Sequence, residues 1–207
     1  MNTTISPKQD RSLRTQEALI DAFLTLLEER SFEEITVAQI AATAGLTTGA
    51  IYRRFKDKRA LLEIAFERFV EESIGHQQAR ASLTKGKTDK EIVETMVRST
   101  LKFTIPYIPL MRAASSLNDQ PSFESMRKAR NIAADWWAEQ LKTSAYGEED
   151  LKRRMRFAMR TVTAVFRDTL LAGPGADGRK TRYGGKAIDR MARDLTEMVS
   201  LYLDVQD

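Results

Sequence analysis

A short group of polar side chains near the start of the chain has the chemistry to read DNA. Thr48, Gly49, Tyr52 and Arg53 lie within six residues. On one helix they would share an outward face and present a hydroxyl, a gap for close backbone approach, a phenol and a guanidinium. These groups suit the major groove, where base edges offer hydrogen-bond acceptors and thymine offers a methyl group. We therefore expect this face to contact double-stranded DNA.

Two short helices and a tight turn must position that face. Thr36 and Gln39 form a capping box that starts the first helix. Gly45 can end this helix, because glycine adopts the left-handed conformation without a steric penalty. Thr47 is a suitable N-cap for the second helix, predicted over Thr48 to Phe55. This is helix-turn-helix geometry, although capping and apolar spacing alone also fit an ordinary three-helix corner of an all-α domain.

The residue identities in this stretch indicate a family more specifically than the capping and apolar spacing do. Residues Gly45 to Leu62 closely resemble the TetR family of bacterial transcriptional regulators. In that family a glycine, a tyrosine, a phenylalanine and a lysine stand at this spacing, and here they are Gly49, Tyr52, Phe55 and Lys58. The resemblance covers the first third of the chain. The rest is compatible with the family in length and helicity only.

The expected DNA contacts are of two kinds. Arg53 can bridge the two acceptors of a guanine, whereas Lys58, at the start of the next helix, is expected to meet a phosphate. Thr36 is a further candidate for a phosphate contact, although capping alone explains it. The full predicted set is Thr36, Thr47, Thr48, Gly49, Tyr52, Arg53, Arg54 and Lys58.

Composition narrows the alternatives. The chain has 207 residues, of which 42% are hydrophobic and 30% charged, so it can bury a proper core. No apolar run approaches the ~20 residues that span a membrane, and the N-terminus lacks a signal-peptide core, so we expect no membrane partner and a cytoplasmic protein. The net charge of +4 permits nucleic-acid binding without establishing it. Without cysteine, a phosphate-binding glycine loop or a metal-ligand cluster, the sequence argues against an enzyme, a cofactor and a metal site.

Helical periodicity continues along the whole chain and no strand alternation interrupts it, so the expected fold class is all-α. We predict a first helix over Ser12 to Arg30, a long helix from Lys58 to about Ala81, and a mobile loop over Gly173 to Gly185. The predicted domains are a flexible tail over 1–10, a helix-turn-helix DNA-binding domain over 11–60, and a helical effector-binding and dimerisation domain over 61–207.

Aromatic and methionine side chains concentrate in the second domain, where most of them should be core. Trp136 and Trp137 are adjacent, so they point about 100° apart on a helix and cannot fill one core position. One of them is expected to face a cavity or a subunit contact. The TetR resemblance implies an apolar ligand pocket in this domain. The predicted ligand-binding residues are Phe103, Tyr107, Met111, Phe123, Trp136 and Trp137.

The last two predicted helices, Leu151 to Ala172 and Lys186 to Val205, carry broad apolar faces. Such a pair can form a four-helix bundle with its copy in a second subunit, and the resemblance places the dimer contact there. The predicted interface residues are Met159, Val162, Phe166, Ile188, Met191, Leu195, Met198 and Tyr202.

These features together predict a ligand-responsive transcriptional regulator, and specifically a repressor. As a homodimer it would place two recognition helices roughly 34–36 Å apart on a pseudo-palindromic operator. A small hydrophobic effector would favour a conformation with the wrong spacing and release the DNA. One alternative is a DNA-binding regulator controlled by a protein partner, with no small-molecule effector. Another is a helical interaction module, which the intact Thr48, Tyr52, Arg53 and Lys58 argue against.

Overall fold

The computed structural model describes residues 7–78, 81–142, 145–172 and 186–205, and this part of the chain is all-α, as predicted. None of the helices in these ranges combines the length and apolar character that a membrane crossing requires. The described helices are α1 (Pro7–Leu27), α2 (Val37–Thr43), α3 (Thr48–Tyr52), α4 (Lys58–Gln78), α5 (Ala81–Thr84), α6 (Asp89–Thr104), α7 (Ile108–Ser116), α8 (Gln120–Gln140), α9 (Glu148–Ala172) and α10 (Lys186–Tyr202), with a 3-10 turn at Ile105–Tyr107 between α6 and α7.

Helix bounds differ from the predicted ones at both ends of α1. The helix begins at Pro7, so it includes the last four residues of the predicted tail. Proline is tolerated there because the first turn of a helix leaves its N–H groups unpaired. The helix ends at Leu27 rather than Arg30. Residues 1–6 and the predicted mobile loop lie outside the described residues.

Helix α1 packs against α2 and α4, and α2 packs against α3. Leu19, Ile51 and Leu62 are buried where these helices meet. Phe23 of α1 packs edge-on against Phe32, with 6.1 Å between ring centroids. The first helices and the later ones share one hydrophobic core that runs on to Val205. The boundary predicted between residues 60 and 61 falls inside the first turn of α4.

Helix α8 is central to the second half, because it packs against both α4 and α9. Its start is capped by Asp119, whose Oδ2 accepts the Ser122 N–H at 3.2 Å. Helix α10 packs against α6 and α9 and closes the other side of the core. These contacts surround a cavity between α4, α6, α7, α8 and α9.

Four residues predicted for the dimer interface belong to the core of the single chain. Met159, Val162, Phe166 and Leu195 are each at most 5% exposed. They are corrected to core residues, because side chains already enclosed by their own chain have no surface to offer a second one. Met198 is 39% exposed. The remaining predicted interface residues, Ile188, Met191 and Tyr202, are half-buried.

Candidate functional site: a nucleic-acid interface and a cavity

The turn between α2 and α3 is built from local hydrogen bonds. Gly45 has φ +66°, in the left-handed region. Its N–H donates to the Ala42 carbonyl at 3.1 Å, and the Leu46 N–H donates to the Ala41 carbonyl at 2.8 Å. This pair of bonds is a Schellman motif, which ends α2 and directs the chain into α3 at a defined angle. The predicted capping box at Thr36 is present at the other end of α2.

The outward side of α3 carries the groups expected to read DNA. Thr48, Gly49 and Arg53 are exposed, and Tyr52 is 61% exposed. Within the described ranges, neither the Tyr52 hydroxyl nor the Arg53 guanidinium has a hydrogen bond or ion pair. We call these four residues the DNA-reading face. The helix itself ends at Tyr52 rather than Phe55, and the Arg54 and Phe55 N–H groups that follow both donate to the Ile51 carbonyl at 2.8 Å.

Gly49 is not required by the fold. A Cβ at this position would meet only the Thr47 Oγ1, at an ordinary contact distance of 3.9 Å. Glycine within a helix costs about 0.5–1 kcal/mol relative to alanine. The space above Gly49 is therefore open surface that a DNA strand could approach closely.

Three other predicted DNA contacts differ in how free their polar groups are. The Thr36 hydroxyl donates to Gln39 Oε1 at 3.0 Å and accepts the Gln39 N–H at 3.2 Å. A phosphate would have to displace the first of these bonds. Thr47 is the N-cap of α3 but makes no capping bond with its side chain, so its hydroxyl is available. Arg54 is half-buried and reaches the Ala50 carbonyl at 3.4 Å and a hydroxyl of α1.

Lys58 has a role within the fold that its sequence position does not reveal. Its ammonium donates to the Phe32 and Ile35 carbonyls, the latter at 2.7 Å, and lies 4.2 Å from the centroid of the Phe32 ring. Burial lowers the pKa of Lys58, against the opposing charge of Glu33. The ammonium points into the chain and holds the segment between α1 and α2. Its assignment as an outward phosphate contact is corrected to a positioning role.

Removing the Lys58 ammonium should therefore destabilise the fold. Lys58→Met keeps the aliphatic stem but leaves two carbonyls without their donor, and we expect a loss of about 2 kcal/mol in the free energy of unfolding. Thermal and urea denaturation measure it, with the exposed Lys56→Met as the matched control. If Lys58→Met unfolds like the wild type but loses affinity for all DNA, Lys58 is a phosphate contact after all.

The second candidate site is a cavity of about 410 Å³ between the helices named above. Small-molecule sites commonly have about 300–1,000 Å³ and mostly apolar walls. Four predicted ligand-binding residues, Phe103, Met111, Phe123 and Trp137, line this cavity. That they bind a ligand stays a prediction.

The other two predicted ligand-binding residues lie outside this cavity. Tyr107 packs against Phe69 and Phe103 at 4.9 and 5.5 Å between centroids, and its hydroxyl donates to Glu72. Burial and that hydrogen bond raise the pKa of Tyr107 to about 12. Trp136 is half-buried and stacks edge-on against its neighbour Trp137, whose ring is the one that faces the cavity. Tyr107 instead lines a separate cavity of about 790 Å³, together with Phe103 and Arg68. That Tyr107 or Trp136 binds a ligand stays a prediction.

The charged part of the cavity was not predicted from the sequence. Arg127, Arg130, Arg160 and Arg167 line it together with a single acidic side chain, Glu124. Arg130 interrupts an apolar strip of α8, and this interruption was a sequence signal for a charged site. The packing of α9 against α8, which adds Arg160 and Arg167, could not be predicted from residue spacing. Within the described ranges, no three histidine or acidic side chains gather as metal ligands would.

Comparisons with known proteins match the two parts of the chain differently. The family described as "Bacterial regulatory proteins, tetR family" matches residues 19–65, which include α2, α3 and the first turns of α4. The HTH-type transcriptional regulator CymR of Pseudomonas putida is 30% identical over 103 residues, which are 48% of this chain and 50% of CymR. The chain thus spans half the length of this curated relative, and a smaller share of others.

Solved structures resemble nearly the whole chain in fold. A putative TetR-family regulator from Mesorhizobium loti has a TM-score of 0.66 at 14% identity, over 92% of this chain and 97% of that one. FadR from Bacillus subtilis, in complex with stearoyl-CoA, has a TM-score of 0.61 at 16% identity, over 88% of this chain and 96% of FadR. At such identities the likeness concerns the fold alone.

Proposed function

The chain belongs to the TetR family of bacterial regulatory proteins, and we propose that it is a DNA-binding transcriptional repressor released from its operator by a small effector. The DNA-reading face of α3 is the observation that carries this proposal. It presents a free phenol, a free guanidinium and an open glycine at the surface of a helix-turn-helix. Its proposed place of action is the cytoplasm, where bacterial DNA lies.

A homodimer is part of the proposal, because α3 has only five residues and one copy offers few base contacts. An apolar surface on α9 and α10 supports it. Phe157 is 52% exposed and Leu201 75%, and the Phe157 and Tyr202 rings lie 5.4 Å apart. With Met198 these side chains form what we call the dimer face. Two copies joined there would read a pseudo-palindrome with half-sites roughly 34–36 Å apart.

An effector is proposed because the cavity lies between α8 and α4, and α4 begins beside the DNA-reading face. FadR, a protein of similar fold, holds stearoyl-CoA in its structure. We propose repression rather than activation of transcription. A protein bound to the operator can exclude RNA polymerase by its presence alone, whereas an activator needs a further surface that contacts polymerase. Control by a protein partner is the second candidate, and it gains support if no hydrophobic small molecule quenches tryptophan fluorescence or raises the melting temperature.

Selection of genomic DNA fragments by the purified protein tests the function directly. We expect enrichment of a two-fold symmetric sequence. Arg53→Ala should then lose about 1–3 kcal/mol of binding free energy on the recovered operator and relax the preference at one base pair per half-site. Scrambled DNA is the control, on which Arg53→Ala should bind nearly as the wild type does. Failure to enrich any symmetric motif would overturn the proposal.

Gly49→Ala separates a folding role of this glycine from a DNA-binding role. Because a Cβ fits here, the variant should gain about 0.5–1 kcal/mol in the free energy of unfolding. It should nevertheless bind the operator more weakly, since the methyl group occupies the space for DNA approach. Gly75→Ala in α4 is the matched control, because its Cβ would also meet open space, far from α3. Equal operator affinity for both variants would remove Gly49 from the DNA contacts.

A further inference from the structure

We propose that the effector is an apolar molecule ending in an anionic group, and that Arg130 binds this group inside the cavity. The inference rests on the proposed function, since it names the chemistry of the effector that the regulator would respond to. It follows from the position of Arg130, from its lack of a counter-ion and from the charges around it.

Arg130 lies on the strip of α8 that faces the cavity. Phe123, Met126, Ala133 and Trp137 of the same strip line the cavity with it, at the three- and four-residue spacing of one helix face. A guanidinium within such a strip loses hydration, and this is costly unless the charge is hydrogen-bonded and paired. An internal partner would therefore be expected for Arg130.

No such partner exists within the described part of the chain. The Arg130 Nε is buried without a hydrogen-bond acceptor. The one acidic side chain of the cavity, Glu124, lies 3.7 Å from Arg127 instead. Several other arginines do have carboxylate partners within 4 Å: Arg59 with Asp119, Arg68 with Asp21, Arg98 with Glu94, Arg154 with Asp150 and Arg156 with Asp135.

Like charges make the position of Arg130 still less favourable. Arg127, Arg160 and Arg167 line the same cavity. Burial, together with repulsion from Arg160, Arg167 and Arg127, lowers the pKa of Arg130. A bound anion would supply the missing hydrogen-bond acceptor and offset this repulsion. The apolar walls would meanwhile bury the body of the ligand.

Two sources of the anion fit this chemistry. A carboxylate at the end of a hydrocarbon would bind the guanidinium through two parallel hydrogen bonds. A phosphate of an acyl-coenzyme A would present the same kind of oxygen. The volume of about 410 Å³ suits the smaller ligand, whereas the nucleotide of a coenzyme A would have to extend beyond the cavity.

The test uses four probes with the same hydrocarbon body: decanoate, decanol, decylammonium and decanoyl-coenzyme A. Binding to the full-length protein without DNA is followed by tryptophan fluorescence, since Trp137 lines the cavity, and by the shift in melting temperature. We expect the anions to bind at least about tenfold more tightly than decanol, and decylammonium to bind most weakly. Tighter binding of decanoate than of decanoyl-coenzyme A identifies a free acid, and the reverse order identifies the thioester.

Variants then assign the effect to Arg130. Arg130→Met should raise the Kd of the preferred anion about tenfold or more while decanol binds as before, and Arg130→Lys should restore part of the loss. Unchanged decanol binding also shows that the cavity is intact. Arg193→Met on α10, an exposed arginine outside the cavity lining, is the control. The proposal would be overturned if neither anion binds more tightly than decanol, or if the anion preference is unchanged in Arg130→Met. DNA binding is measured separately, so these outcomes leave the proposed function standing.

Discussion

Leu201→Asp should leave the chain folded and convert it from a dimer to a monomer at micromolar concentration. The side chain of Leu201 is 75% exposed in the single chain, so the substitution removes little internal packing. If the dimer face is the interface, the new carboxylate becomes buried there without a partner, and association weakens by several kcal/mol. Sedimentation reports the assembly and thermal denaturation the fold. Operator binding should fall with dimerisation.

Leu195→Asp on the same helix is the informative contrast. Leu195 is 5% exposed and packed within its own chain, so a carboxylate there should destabilise the monomer itself. The two variants therefore separate loss of assembly from loss of folding. A Leu201→Asp protein that sediments like the wild type would show that the dimer face has been misassigned, as would a wild type that is monomeric at micromolar concentration.

Asp119→Asn should weaken the response to the effector more than it weakens binding of either effector or operator. Asp119 is fully buried at the start of α8, and its Oδ1 accepts a hydrogen bond from Arg59 Nη2 at 2.7 Å. Arg59 lies in the first turn of α4, beside Lys58, which holds the segment leading to α2. Asparagine can keep the cap to Ser122 but lacks the charge. The pair thus links the start of a cavity-lining helix to the DNA-binding helices.

The measurement is operator affinity with and without saturating effector. Allosteric coupling is typically 1–3 kcal/mol, so the effector-induced loss of affinity should fall from roughly 5–150-fold towards unity in Asp119→Asn. Asp135→Asn is the matched control, because it removes the Arg156 ion pair from the same helix at a place remote from α4. An undiminished response in Asp119→Asn, or an equal loss in Asp135→Asn, would contradict the link.

The Asp119 carboxylate also makes the free energy of unfolding depend on pH, in a direction that its pKa defines. Burial by itself would raise the pKa of Asp119, but hydrogen bonds from Ser122 and Arg59 outweigh it and hold the pKa below its ordinary value. The stabilisation is therefore present above the unfolded pKa of about 3.9 and is lost as the pH falls through the lower folded value. The stability difference between wild type and Asp119→Asn should shrink accordingly on acidification.

Local features of the first helices could be predicted from the sequence because their causes lie within a few residues. The capping box joins Thr36 to Gln39, and Gly45 meets a backbone requirement of its own turn. The outward groups of α3 follow from helical spacing once the buried Ile51 is recognised. Hydrogen bonds and rotations over so short a distance leave little room for tertiary packing to alter the result.

Only the tertiary structure determines which residues pack against each apolar or charged helix face. The periodicity of α9 and α10 reveals apolar faces, but burial of Met159 and Leu195 beside exposure of Leu201 depends on which helices pack around them. Lys58 finds its carbonyl partners 26 and 23 residues away. The four cavity arginines come together only because α8 packs on α9. A side chain's helical phase is set by its neighbours in sequence, whereas its partners and its dielectric surroundings are set by residues that folding brings from elsewhere.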